Sequence, residues 1–128
     1  MATVSGTGTW LSRGVYKHSW TLTSTASTGR PATLASLPDK TMSVRGTFAG
    51  CTVALIGSNQ SATVAQASLT TQSLNDSRGE GNALSFTAAN VVTVVENPNL
   101  IYPKLTALGT SVTVKSVVVE VVAQSARR

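Results

Sequence analysis

Between Val15 and Leu22 the chain reads VYKHSWTL, and its side chains alternate with a period of two. Tyr16, His18, Trp20 and Leu22 share one face of an extended segment, while Val15, Lys17, Ser19 and Thr21 share the other. No segment carries an apolar stripe at helical spacing. Thr, Ser, Val, Ala and Gly dominate, and only 12% of the residues are charged. β-Branched side chains pack well on a pleated surface, and the Glu and Lys that favour helices are scarce. The 128 residues fit one domain with one hydrophobic core.

Turn signals divide the rest of the chain. STASTGRPA is a loop broken by Gly29 and Pro31, and ASLPDK is a turn built on Pro38-Asp39. In TMSVRGTFAGCTVALIGSNQ, Met42, Val44, Gly46 and Phe48 form an inward face. Ala49-Gly50 is a tight reversal, so CTVALIG is expected to return as the second strand of an antiparallel hairpin. The segment 63–76 is ambiguous, SRGEG is a loop, and NALSFT is a strand. VVTVVE is apolar on both faces, as in a strand covered on both sides. Pro103 lacks an N–H, which places LIYPKL at a sheet edge or a bulge. In the last segment, 111–122, Val112 and Val114 lie out of phase with Val117, Val119 and Val121, a slip that a β-bulge produces.

These signals predict an all-β protein: an antiparallel β-sandwich of about seven or eight short strands, jelly-roll-like, with an immunoglobulin-like sandwich as the alternative. Residues 1–9 are small and polar and are expected to form a flexible arm. The sandwich domain then covers 10–124, followed by a basic tail over 125–128.

Few residues are suited to chemistry. His18 is the single histidine and lies between Tyr16 and Trp20; no nucleophile-elbow motif accompanies it. Cys51 lies inside a strand and has no partner for a disulfide within the chain. There is no CxxC, and one His with one Cys makes no zinc cage. The acids Asp39, Asp76, Glu80, Glu96 and Glu120 are scattered, and SLNDSRGEGN lacks EF-hand spacing. No Gly-rich loop leads into a helix to cradle phosphate. The pattern therefore implies no enzyme, no metal and no cofactor.

Contact with other macromolecules is the remaining class. The net charge is +5, but the basic residues are scattered, with no run longer than the pair Arg127-Arg128 and no cluster of Arg and Lys of the kind that a nucleic-acid binder carries. That argues against nucleic acid and suits a solvated sheet surface or an acidic protein partner. Aromatics and Arg are enriched at interface centres, which makes Trp10, Arg13, Arg45, Tyr102, Lys104, Arg127 and Arg128 the candidate contact residues. The N-terminus shows no signal-peptide pattern, and VKSVVVEVVA is interrupted by Lys115 and Glu120. Cytoplasmic synthesis and no membrane association are expected.

The order and spacing of several turns carry more information than any one of them. Pro38-Asp39, Gly46-Thr47-Phe48, Gly57-Ser58-Asn59, Gly81-Asn82-Ala83-Leu84, Phe86-Thr87-Ala88-Ala89, Tyr102-Pro103 and Gly109-Thr110-Ser111 follow one another over Gly14–Val119. In this the chain resembles the capsid decoration, or head cement, proteins of tailed bacteriophages. It departs from their pattern at Gln60-Ser61, where Asp-Gly is usual, and at Tyr102-Pro103-Lys104, where Tyr-x-Arg-Pro is usual. The resemblance implies a β-sandwich made in the bacterial host cytoplasm and located on the outer surface of the virion capsid. Its partners would be the phage major capsid protein and other copies of itself, as a homotrimer or alternatively a homodimer. The arm would order on docking. The alternatives are a carbohydrate-binding β-sandwich module and a head-completion or tail structural subunit.

Overall fold

Period-two segments can bury their apolar faces only against one another, and here they do so as two stacked sheets. The computed structural model describes residues 3–76, 83–107 and 116–125. In chain order the strands are β1 (Thr3–Val4), β2 (Thr7–Ser12), β3 (Val15–Thr23), β4 (Thr28–Gly29), β5 (Asp39–Thr47), β6 (Thr52–Ser58), β7 (Gln72–Ser73), β8 (Ser85–Phe86), β9 (Asn90–Val94), β10 (Leu100–Ala107) and β11 (Ser116–Gln124). A single 3₁₀ turn spans Gln66–Ser68 among the described residues. Seven of these strands have five or more residues and four have two; the expected segments correspond to β3, β5, β6, β9, β10, β11 and the short β8, while the long β2 begins inside the expected arm.

One sheet has six strands in the order β1-β4-β10-β6-β7, with β8 also on β6; the other has five in the order β2-β3-β11-β5-β9. Among the described residues only β1 and β4 pair in parallel. The result is an all-β sandwich, as the alternation implies. Its core takes Trp20 and Leu22 from β3, Met42 and Val44 from β5, Val53 and Leu55 from β6, Ile101 and Leu105 from β10, and Val117, Val119, Val121 and Ala123 from β11. Each such side chain contributes roughly 1.5–3 kcal/mol on full burial. The Trp20 indole N–H is satisfied by the Arg30 carbonyl at 2.9 Å, so its burial leaves no lost hydrogen bond.

Four local expectations change once the strands are placed. First, β5 and β6 do not form a hairpin. They belong to different sheets, and Phe48–Cys51 carries the chain across the sandwich. Ala49 (φ 48°) and Gly50 (φ 80°) are both left-handed, and the Cys51 N–H closes the turn on the Phe48 carbonyl at 2.9 Å. The crossing sets the inward faces of the two strands opposite each other rather than side by side. Second, VVTVVE is not covered on both faces. β9 is the edge strand of the five-stranded sheet; Val94 is buried, but Val91 is 68% exposed and Val95 beyond it 50%. Third, Pro103 lies within the sheet, on β10 between β4 and β6. The N–H groups of Ile101 and Leu105 point toward Ala32 and Ser27, on the β4 side, so alternation places the missing Pro103 donor there too. The ring fills the space above Gly29, where an added Cβ would sit 2.7 Å from Pro103 Cδ.

Fourth, residues 3–9 of the expected arm are built into the sandwich. β1 pairs with β4, and β2 pairs with β3 in the register Thr7↔Ser19, Gly8↔His18, Thr9↔Lys17 and Trp10↔Tyr16. The small residues are what the aromatic face of β3 requires. A Cβ on Gly8 would lie 1.5 Å from Tyr16 Oη, and one on Gly6 would lie 2.3 Å from His18 Nε2. The rings lean across β2, and side chains there would displace them. The expected bulge between Val114 and Val117 lies partly outside the described residues, as do the SRGEG loop and the tail Arg127-Arg128. From Ser116 onward β11 alternates regularly.

Candidate interaction surface

The strand registers define an outer face on the five-stranded sheet. Opposed residues share a face, so Ser19, Glu120, Ser43 and Val91 form one row across it and Lys17, Val122, Thr41 and Thr93 the next. Glu120 stands near the middle, on the central strand, with its side chain 17% exposed. Its Oε2 meets Lys17 Nζ at 3.3 Å and an Arg45 guanidinium nitrogen at 3.4 Å, and Ser43 Oγ donates to its Oε1 at 3.4 Å. One carboxylate thus binds cations from the strands on either side. Around this cluster the face is a mosaic of Thr, Ser and half-buried Val118 and Val122. Glu120→Gln is expected to cost less than about 1 kcal/mol, because exposed ion pairs are weak. The loss should shrink with added salt in a denaturation series.

Among the described residues the exposed large hydrophobics fall at the two edges of this same sheet. Trp10 (61% exposed) and Leu11 (51%) are on β2, and Val91 and Val95 lie along β9 and its continuation. Trp10 is the outer end of a row of rings. Its centroid lies 4.9 Å from Tyr16 in an edge-on arrangement, Tyr16 lies 6.2 Å from His18, and His18 lies 4.6 Å from Trp20. The row descends from solvent into the core. Partial burial lowers the His18 pKa below its ordinary value. Trp10, Tyr16 and His18 also line an open groove of about 330 Å³, together with Leu34 and Leu37.

The sequence-derived contact residues are distributed over both sheets. Arg13 is exposed in the tight turn from β2 to β3, where Gly14 takes φ 76°. It follows directly on β2, the edge strand that carries Trp10, and Arg45 is on the outer face of the same sheet. Tyr102 and Lys104 lie on the outer face of the six-stranded sheet. Tyr102 is buried, with Gln66 and Ala67 beside it; burial raises its pKa and a Thr71 hydrogen bond partly opposes this. Lys104 is half-buried opposite Thr28. Lys17, Glu120, Leu11, Val91 and Val95 complete the surface and were not singled out from the sequence. The alternation of β3 and β11 marks Lys17 and Glu120 as outward-facing. Their meeting with Arg45 depends on register, which no local signal encodes.

Two further polar groups are tied into the frame. Burial pushes the Glu96 carboxyl up, but hydrogen bonds from the Asn75 backbone N–H (2.8 Å) and side-chain amide outweigh this and hold it below its ordinary range. Lys40 lies on the inward face of β5, 0% exposed, and its ammonium donates to the Asn97 side-chain oxygen. Cys51 is buried. Among the described residues no three His, Cys, Asp or Glu side chains gather as metal ligands, and no helix is long and apolar enough to cross a membrane. The chain matches no family model, no curated protein and no solved structure.

Proposed function

We propose that this chain is a structural virion protein that decorates and stabilises a bacteriophage capsid. It binds the outer surface of the major capsid protein across subunit boundaries and associates with copies of itself. The observation that carries this reading is the five-stranded sheet. Its outer face is a mosaic of Thr, Ser and Val with one neutralising Lys–Glu–Arg cluster, and both of its edges expose large apolar side chains. Such a surface suits extended contact with other chains. The resemblance to head cement proteins supplies the capsid.

Packaged DNA strains a shell, and a bound subunit resists that strain by adding buried interface between neighbouring capsomers. An interface of standard size buries ~1,600 Å² in total. The net charge of +5 favours an acidic exterior and aids both encounter rate and register. The test is to mix purified protein with undecorated expanded heads and image the particles. Ordered density on the outer surface is expected, and bare heads would overturn the reading. In the same assay Arg45→Glu, which sets a second carboxylate beside Glu120, is expected to weaken binding roughly tenfold, since like charge at a contact costs on this order. Unchanged binding would make Arg45 plain solvated surface; an unfolding curve separates misfolding from lost contact.

A carbohydrate-binding module is the second reading, favoured by the exposed Trp10 beside Tyr16 and His18 at an open groove. A glycan array without hits removes it.

A further inference from the structure

The two edges of the five-stranded sheet are treated differently by the chain. On β9 the Val91 N–H is capped by the Asn90 side-chain oxygen at 2.8 Å, and just beyond it the Val95 N–H is taken by the Asn75 carbonyl at 3.1 Å. Alternate residues of a strand direct their backbone polar groups to the same side. Val91, Thr93 and Val95 therefore direct theirs away from β5, and both ends of that outward row are closed from within the chain. Asn75 is itself held by Glu96. β2 has no such closure. All six of its residues are exposed, and among the described residues it pairs with β3 alone and no hydrogen bond reaches it from its outer side. It contains no Pro, Lys or other charge of the kind that protects natural edge strands. A register irregularity between Trp10 and Ser12 limits its regular part to Thr7–Trp10.

We propose that this edge pairs with the same edge of a second copy, β2 against β2, antiparallel about a two-fold axis. The two five-stranded sheets then become one continuous sheet. The strand is self-complementary for such pairing. Directly opposed residues lie on the same face, and Gly6, Gly8 and Trp10 share a face. A two-fold register centred on Gly8 or Thr9 therefore places each Trp10 opposite a glycine of the other copy. Twice per interface the indole thus meets no side chain on the directly opposed residue, but the ring of Tyr16 or His18 that leans over that glycine. With the axis at Thr9, the incoming indole stands beside the Tyr16 ring that already lies over Gly8, and the row of rings continues from one copy into the next. Charge is also permissive. The chain carries +5, yet β2 carries none of it, so pairing sets no like charges opposite each other. Arg13 lies beyond the strand at opposite ends of the pair. The edge is short against the ~1,600 Å² of a standard interface, so the dimer dissociates on dilution.

This pairing rests on the reading of the chain as self-associating, not on its docking to a capsid. The test is sedimentation equilibrium of the purified protein without heads. A concentration-dependent monomer–dimer equilibrium is expected. Thr9→Glu is expected to raise the dimer dissociation constant about tenfold or more, because two carboxylates then meet near the axis. Within its own subunit the new carboxylate faces Lys17, the register partner of Thr9, so folding is retained; the unfolding midpoint checks this. Mixing Thr9→Glu with Thr9→Lys protein is expected to restore association as a heterodimer. A monomer at every concentration, a trimer, or a dimer indifferent to Thr9→Glu would overturn the proposal. A two-fold dimer that leaves heads bare would instead overturn the capsid reading alone.

Discussion

Replacing Gly46 with alanine is expected to destabilise the protein by about 3 kcal/mol, the upper range for one strained backbone position. Gly46 has φ 124°, and an added Cβ would lie 2.2 Å from the Ser116 carbonyl oxygen and 3.3 Å from Val117 Cα. Those are backbone atoms of β11, the central strand, paired with β5 through the register Gly46↔Val117. Neither can swing aside as a flexible side chain would. Gly14→Ala is the control: φ is 76°, but the nearest atom is Ser125 Oγ at 3.5 Å. There only the left-handed conformation counts, about 1–2 kcal/mol. Chemical denaturation should show Gly46→Ala with a lower midpoint and an unchanged slope. Equal losses at the two glycines would refute the contact with β11.

The second large effect concerns Lys40. Its amine is fully buried on the core side of β5, between Val94 of β9 and Ala123 of β11 in the register, and burial lowers its pKa to about 8 against a partly opposing pull from Asp39. The folded protein therefore releases this proton more readily than the unfolded chain. Between pH 8 and the unfolded value near 10.5 the unfolded state binds more protons, so stability rises with pH across that window. Below pH 8 the burial penalty is fully present, about 3 kcal/mol in all. Lys40→Met is expected to raise stability by about 2 kcal/mol at pH 7, since apolar replacement of a buried charge is often stabilising by such amounts. The Asn97 oxygen it leaves behind is at an exposed residue and can bind water. The variant should also lose the rise between pH 8 and 10. Measurements stop there because the raised Tyr102 pKa acts oppositely: its folded state holds the proton longer, and stability falls as pH rises past 10. Parallel pH profiles for the two proteins would sink this account.

Lys40 also shows where reading the sequence stops. DKTMSVRG alternates, and Met42 and Val44 fall on the inward face as their apolarity demands. The same period places Lys40 inward, yet a lysine at the end of a strand reads as solvated because its ammonium is costly to bury. Burial follows from β9 and β11 on either side and from Asn97, which is remote in sequence and within reach only after folding. Ala49-Gly50 is a similar case. The residues announce a left-handed turn but do not specify whether the chain returns beside β5 or crosses to the other sheet. Gly6 and Gly8 read as marks of a loose arm until Tyr16 and His18 are laid across them.

What the residues determined on their own was the class of structure and the inward faces: period-two patterns of Val, Thr and aromatic residues, broken by Gly and Pro, cannot bury their apolar sides except as stacked sheets. Strands at β3, β5, β6, β9, β10 and β11 and the burial of Trp20, Leu22, Met42, Val44, Val119 and Val121 follow from that alone, whereas β2 does not. Only the tertiary structure decided which strand lies beside which. Side-chain alternation selects a face, whereas partner and register depend on backbone hydrogen bonds that any extended segment can make. For that reason the Lys17–Glu120–Arg45 cluster, the closed edge at β9 and the open edge at β2 emerged only when the sheets were assembled.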